Sequence, residues 1–237
     1  MIENLKIFIN FPFRGPNWLS RFIVGAALVL GNFVIPIIPS LFVIGYVLEI
    51  MRRVIQGEEP SLPAWDNLGK ILADGAKGFV AGLVYLLPGL VLIIGGYVLY
   101  FLTFFRFLGD EPLAILAFLL SMAGLFLGII LLTLGSIPLP AAIANLAAKG
   151  NIGAAFEISE WWGIIKANPW GYLGAWVISV GIGYIGYWLS ALPYYTIILC
   201  CFVPLLWAPV SFYILVIAGA VFAQFYRESS LSTRVME

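Results

Sequence analysis

The residues best suited to chemistry lie in a short turn that holds two adjacent glutamates, Glu58 and Glu59, between Gly57 and Pro60. Two carboxylates held together in a cleft bind a cation or exchange protons. Adjacent glutamates usually point in different directions, however, and no histidine or third carboxylate stands close by in the sequence. The other interpretation is a solvated turn that ends one helix at Gly57 and leads to another after Pro63.

Other chemical groups are scarce. Histidine is absent, which removes the commonest general base and metal ligand. The two cysteines, Cys200 and Cys201, are adjacent within an apolar run, so we expect buried thiols in place of a disulfide or a metal site. The net charge is zero, which does not favour nucleic acid as a partner. We therefore predict no catalytic residues, no metal and no cofactor.

The elements that position these residues are predicted to be membrane helices. Hydrophobic residues make up 62% of the 237 residues and charged residues 10%, and the mean hydropathy is +1.05. A soluble domain carries about a quarter charged residues, so lipid must cover most of this surface. The predicted fold class is all-α, a polytopic transmembrane helix bundle. Its apolar segments are residues 18–34, 36–50, 78–105, 113–137, 170–192 and 194–225.

The distribution of basic residues predicts six spans. The first two segments form either one broken helix or a hairpin that turns at residues 35–39, around Pro36 and Pro39. A hairpin leaves only Arg106 on the opposite side of the membrane from the other Lys and Arg residues, whereas a single span divides the 12 basic residues between both sides. The cytoplasmic bias of basic residues favours the hairpin, with both termini in the cytoplasm. The cytoplasmic basic residues are then Lys6, Arg14, Arg21, Arg52, Arg53, Lys70, Lys77, Lys149, Lys166, Arg227 and Arg234.

We expect one integral membrane domain over residues 1–237. It has a cytoplasmic or interfacial segment at 1–17, three spans in 18–105, three spans in 106–226 and a cytoplasmic tail at 227–237. Two cytoplasmic segments, 66–78 and 153–168, have helical periodicity typical of short amphipathic helices in the headgroup plane. In the first, Lys70, Asp74 and Lys77 take the polar face. Pro169 is expected to end the second.

The two halves share a weak pattern. In each, a helix follows a proline pair and stops near a glycine, Gly57 or Gly150, before an amphipathic segment and a further span. Duplication and coincidence both account for it. The glycines of Gly78-x-x-x-Gly82 and Gly124-x-x-x-Gly128, with Gly181, Gly183 and Gly186, are predicted to pack helices within one subunit. Glu49 and Arg53 are predicted to pair at four-residue spacing.

Part of the chain resembles a known family. The resemblance rests on residues that lie mainly between the second and third predicted spans, with fainter matches later in the chain. These residues are Gly45-Tyr46, Arg53, Gly57-Glu58-Glu59-Pro60, Leu62-Pro63, Trp65-Asp66, Asp74-Gly75, Leu87-Pro88, and later Phe156-Glu157-Ile158, Asn168-Pro169 and Tyr172-Leu173. They resemble the uncharacterised prokaryotic membrane family called domain of unknown function 4013. The resemblance implies a polytopic protein of the prokaryotic plasma membrane and no particular activity.

Two groups of residues are candidates for function. The first is a cytoplasmic interaction surface, composed of Arg52, Arg53, Gly57, Glu58, Glu59, Pro60, Pro63, Trp65 and Asp66. The second is a cavity at the proline-broken helices, composed of Asn32, Pro36, Pro39, Ser40, Thr133, Ser136, Pro138 and Pro140.

Three functions are compatible with these candidates. The leading hypothesis is a non-enzymatic scaffold, assembly factor or complex subunit, with the lipid bilayer and other subunits or further copies of the chain as partners. The alternative is a transporter of a small neutral or amphipathic solute at the helix breaks, and proton-driven transport is disfavoured because no charge lies between the interfaces. The third is an enzyme acting on lipids, which needs Glu58, Glu59, Asp66 and Asp74 around one pocket or metal.

Overall fold

The described part of the chain is entirely helical. A computed structural model describes residues 2–105, 111–195 and 202–236, and no β-strand occurs among them, which confirms the all-α class. Arg106, Cys200 and Cys201 lie outside these residues. Short 3₁₀ turns occupy Phe11–Phe13, Ile152–Phe156 and Leu192–Tyr195. The α-helices are α1 (Ile2–Asn10), α2 (Trp18–Gly31), α3 (Ile38–Gln56), α4 (Leu68–Phe104), α5 (Glu111–Ser136), α6 (Leu139–Lys149), α7 (Ile158–Ala167), α8 (Pro169–Ala191) and α9 (Val203–Met236).

Four helical stretches in the described residues are long and apolar enough to cross a membrane. They are Leu68–Phe104, Glu111–Lys149, Pro169–Ala191 and Val203–Leu231, and each overlaps one of the last four predicted spans. Helix α2 is apolar but has 14 residues, which cover ~21 Å of a hydrocarbon layer about 30 Å thick. Helix α3 has 19 residues, but its last turns carry Glu49, Arg52 and Arg53.

The chain reverses direction between α2 and α3, as the proline pair predicts. The indole Nε1 of Trp65 donates a hydrogen bond to the carbonyl oxygen of Arg21 at 3.0 Å, and the Trp65 ring stacks on Tyr46 at a centroid distance of 4.0 Å. In one continuous helix, Arg21 and Tyr46 would lie ~37 Å apart. Because both contact the same indole, an uninterrupted helix through residues 35–39 is excluded.

Helix α4 differs from its prediction. A separate amphipathic helix was expected at 66–78, but α4 runs from Leu68 through the following predicted span to Phe104. No proline between residues 68 and 87 separates the two segments. Lys70 is exposed as predicted, but Asp74 does not lie on the exposed polar face. Asp74 is 8% exposed and Leu68 is 50% exposed, since Asp74 faces an arginine of α3. Within the second amphipathic segment, Ile158–Ala167 forms a separate helix, α7, and α8 begins at Pro169 after one intervening residue.

The chain divides into two compact units, and the first comprises Met1–Phe79 and Pro140–Glu237. Helix α9 is its centre, because it packs against α2, α3, α7 and α8. Phe212, Val216 and Ile217 are at most 1% exposed. Helix α3 ends at Gly57, which adopts a left-handed φ of +96°, and Gly150 follows α6 with a φ of +74°. Both glycine stops predicted from the sequence are therefore present.

The second unit, Val80–Leu139, is a helical hairpin made by the remainder of α4 and by α5. A Cβ added to Gly128 would lie 3.0 Å from the Gly89 carbonyl oxygen, and one on Gly135 would lie 2.4 Å from that of Tyr85. Small residues thus bring the backbones together, as in other membrane helix pairs. The packing role is confirmed for Gly128. It is wrong for Gly82 and Gly181, whose added Cβ would meet nothing within 4 Å in the described structure.

Candidate interaction face

The first feature of the site is a charged network that joins the end of α3 to the start of α4. The guanidinium of Arg52 pairs with Glu49 at 2.6 Å on one side and with Asp74 at 2.8 Å on the other. Further cations surround the two carboxylates. They are Arg53 and Lys70 on Glu49, at 3.4 and 3.1 Å, and Lys77 on Asp74, at 3.0 Å. The predicted pair of Glu49 and Arg53 is confirmed as one edge of this network.

The same network extends to the end of α6. Arg52 Nε donates a hydrogen bond to the carbonyl oxygen of Ala147 at 3.3 Å, and Lys77 Nζ donates to that of Gly150 at 2.9 Å. Cations at a helix C-terminus satisfy carbonyl groups that have no partner within the helix. Arg52 and Lys77 thus connect three helix ends that are far apart in sequence.

A second network is built around Asn145, whose side chain is fully buried. Its Nδ2 donates to the Ala154 carbonyl at 2.8 Å and to Glu160 at 3.2 Å, while its Oδ1 accepts from the hydroxyl of Tyr226 at 2.7 Å. Lys149 pairs with both Glu157 and Glu160. Every polar atom of the Asn145 amide therefore has a partner, which is what burial of an amide requires.

Hydrogen bonds in this second network shift the pKa of one carboxyl group, that of Glu160. The hydrogen bond from Lys149, followed by the one from Asn145, lowers the pKa of the Glu160 carboxyl below its ordinary value. The carboxylate therefore stays ionised at neutral pH and keeps its partners.

The Glu58–Glu59 turn lines a cavity of about 240 Å³. Helices α1 and α9 supply the opposite walls, and the guanidinium of Arg227 lies over Gly57, where an added Cβ would be 3.1 Å from Nη2. The full lining is Ile7, Phe8, Arg14, Gly57, Glu58, Glu59, Pro60, Gln224 and Arg227. Asp66 and Asp74 are not part of this lining, so the cavity gathers two of the four carboxylates that a lipid-acting enzyme was expected to need.

Other members of the predicted interaction surface are anchors in the fold. Pro63 is fully buried, and its carbonyl oxygen accepts a hydrogen bond from the Tyr46 hydroxyl at 2.8 Å. Trp65 is held between Tyr46 and Arg21, as described above. Asp66 is exposed. The surface predicted from sequence thus contains an exposed part, a paired part and a packed part.

The polar residues at the proline breaks bond within their own breaks. Asn32 Oδ1 accepts from the backbone N–H of Ser40 at 3.1 Å and from its hydroxyl at 2.8 Å. In the other break, Thr133 donates to the Ile129 carbonyl at 2.9 Å and Ser136 donates to the Thr133 carbonyl at 2.8 Å. Pro39 and Pro140 each lie in the first turn of a helix, α3 and α6, while Pro36 and Pro138 precede those helices. A solute site there stays a prediction.

Carboxylates and cations neutralise one another within both networks, and in the described residues no three acidic, cysteine or histidine side chains are grouped to hold a metal. Sequence reasoning missed Asn145 and Tyr226. The available signal was the single amide within the alanine-rich run of α6, because a buried amide needs partners.

Comparison with known proteins identifies a family and no closer relative. The family model described as protein of unknown function DUF4013 matches residues 28–195. This range contains the motif residues from Gly45 to Leu173 on which the resemblance was based, so the resemblance is confirmed. Neither a curated protein nor a solved structure matches the sequence. Its apolar helices are compatible with a membrane protein. The chain therefore belongs to the DUF4013 family, whose function is unknown.

Proposed function

We propose that the protein is a non-enzymatic scaffold of a membrane complex, acting as a subunit or assembly factor in the prokaryotic plasma membrane. The observation that carries this proposal is the division of charge between the two units. The described residues of Val80–Leu139 contain one charged side chain, Glu111, whereas the first unit holds both charged networks. The second unit thus offers an apolar surface to other helices, and the first unit offers a polar face.

The helical hairpin is the part of the chain expected to contact partner helices. Its two helices approach each other closely at Gly89, Gly128 and Gly135. Large apolar side chains lie on the exposed face of the hairpin. Ile94, Tyr97 and Phe126 are exposed by 61, 61 and 67%. In a bilayer such residues contact either lipid or a neighbouring helix, and close packing between helices supplies the association energy.

Photo-crosslinking in the native membrane tests the proposal. A photoreactive amino acid replaces Tyr97 or Phe126 on the exposed face of the hairpin, and Leu132, a large side chain that faces Gly89 of the other helix, serves as the matched control. We expect the two exposed positions to yield one reproducible protein adduct, identified by mass spectrometry after purification in mild detergent. The control is expected to yield none. If every position crosslinks only to lipid, and the purified protein is monomeric and solitary, the scaffold role is refuted.

The proposal includes six spans with both termini and the polar face in the cytoplasm. The reversal between α2 and α3 supports it, because a hairpin returns the chain to the side from which it entered. The positive-inside distribution then leaves eleven of the 12 basic residues on the cytoplasmic side. The interfacial location of α7 and of the first turns of α4 belongs to the same proposal.

Single cysteines test this topology in a background that lacks Cys200 and Cys201. Ser61→Cys should react with an impermeant thiol reagent only from the cytoplasmic side, and Glu111→Cys only from the opposite side. Val34→Cys tests whether the α2–α3 hairpin crosses fully, since Val34 is 82% exposed at its tip. Labelling of Val34→Cys from the outer side supports six spans, and labelling of Ser61→Cys and Glu111→Cys from one side refutes the topology.

A further inference from the structure

The cavity beside the Glu58–Glu59 turn has a composition that neither charged network shares. Two arginines, Arg14 and Arg227, and two glutamates, Glu58 and Glu59, line it. None of these four side chains forms an ion pair within the described part of the chain. Opposite charges that share a cavity without neutralising one another are available to a ligand that carries both signs.

An apolar groove is lined by two of the elements that also line this cavity. It has a volume of about 500 Å³ and lies between α8 and α9, with Leu189 and Tyr213 among its lining residues. Phe13 lines the groove and the next residue, Arg14, lines the polar cavity. The segment that connects α1 to α2 therefore contributes to both linings, and so does α9.

The order of these spaces along α9 matches an amphipathic molecule. Tyr213 borders the apolar groove, and its hydroxyl donates to the Ile9 carbonyl at 3.0 Å. Gln224 and Arg227 border the polar cavity, ~16 Å or more further along the helix. The polar cavity is smaller than the range of about 300–1,000 Å³ usual for pockets of drug-sized ligands. A small headgroup fits it, with its hydrocarbon chain in the groove.

We propose that this composite site binds an aminophospholipid, with its phosphate on Arg14 and Arg227, its primary ammonium on Glu58 and Glu59, and one acyl chain in the groove against Leu189. A guanidinium donates a fork of hydrogen bonds to phosphate oxygens, and carboxylates accept from an ammonium. A quaternary ammonium lacks N–H donors, and a glycerol headgroup lacks the positive charge. The site is thus selective for a primary amine. This inference does not rest on the scaffold role.

Native mass spectrometry of the full chain in detergent tests the proposal. The delipidated protein is titrated with phosphatidylethanolamine, phosphatidylcholine or phosphatidylglycerol of identical acyl chains. We expect phosphatidylethanolamine to bind about fivefold more tightly than either of the others, as one extra exposed ion pair permits. Free phosphoethanolamine distinguishes a soluble ligand from a lipid. If it binds as tightly as the lipid, the acyl groove plays no part and the lipid assignment is wrong.

Three variants separate the parts of the site. Glu58→Gln with Glu59→Gln should abolish the preference for the amine lipid and leave phosphatidylglycerol binding intact. Arg227→Gln should weaken binding of all three lipids by about fivefold, and Leu189→Trp should do so by filling the groove. Lys166→Gln is the control, because it removes an exposed cation that lines neither space. Equal affinities for the three lipids, or variants that all match this control, overturn the proposal.

Discussion

Helices α3 and α4 cross at a contact that admits no side chain, and this makes a sharp prediction for two glycines. A Cβ added to Gly45 would lie 1.8 Å from the carbonyl oxygen of Ile71, and one added to Gly75 would lie 1.7 Å from that of Leu41. Both obstacles are backbone atoms inside helices, so no rotamer change relieves the clash. We therefore expect Gly45→Ala and Gly75→Ala each to destabilise the first unit strongly.

The size of the effect follows from the geometry. Ordinary van der Waals contact begins at 3.4 Å, so α3 and α4 must separate by about 1.6 Å to accommodate the methyl group of Gly45→Ala. The same displacement lengthens the 2.8 Å pair of Arg52 and Asp74 to about 4.4 Å, beyond direct hydrogen bonding. Overpacking costs about 1–3 kcal/mol, and the rigid obstacle places this site near ~3 kcal/mol. For a chain of this size, that lowers the melting temperature by roughly 6–12 °C.

The measurement is the fraction of monodisperse protein that survives heating in mild detergent, read by size-exclusion chromatography across a temperature series. Gly82→Ala is the matched control, because it lies in the same helix and its added Cβ meets nothing within 4 Å. Removing an unconstrained helical glycine should stabilise the control by about 0.5–1 kcal/mol. The reasoning is refuted if Gly45→Ala and Gly75→Ala melt within about 2 °C of this control.

Three further predictions concern the networks and the turns. Glu160→Gln should lower the melting temperature at pH 7 and lose this effect in acid. Lys149 lowers the pKa of the Glu160 carboxyl in the folded protein. The ionised carboxylate therefore stabilises the fold above the ordinary glutamate pKa of 4.5, and this stabilisation disappears as the pH falls below that value. A pH-independent difference from wild type would contradict this. Tyr46→Phe leaves the buried Pro63 carbonyl without its 2.8 Å hydrogen bond, and should cost about 1–3 kcal/mol by thermal unfolding. Gly150→Ala places a side chain on a residue with a φ of +74°, with open space around it. Backbone strain alone should then lower the free energy of unfolding by about 1 kcal/mol. Unchanged stability would show that the turn relaxes.

The local parts of the fold were predictable from sequence. Helix ends at Gly57 and Ala167 follow from residue types at single positions, because a left-handed glycine or a following proline stops a helix wherever it occurs. The reversal before Pro39 likewise followed from a proline pair and the placement of basic residues. The separate helix at 66–78 was not correct, because amphipathic periodicity reports the face of a helix and not whether the helix continues.

The composition of the candidate site was less predictable. Sequence spacing identified the pair of Glu49 and Arg53, which lie one turn apart, but not the pairing of Arg52 with Asp74, which are 22 residues apart. The Glu58–Glu59 turn was identified as an exposed feature. The arginine that faces it from α9, Arg227, could not be found by any local rule.

By itself, the sequence indicated that lipid covers most of the protein surface and identified which segments carry its charge. Apolar length, charge frequency and the order of basic residues are properties of the chain alone, and they act on the membrane one segment at a time. Only the tertiary structure decided which groups meet: Gly45 with Gly75, Asn145 with Tyr226, and, around one cavity, four charges that form no ion pair among the described residues. These contacts depend on where packed helices cross, and the position of a crossing is set by the shapes of both surfaces together.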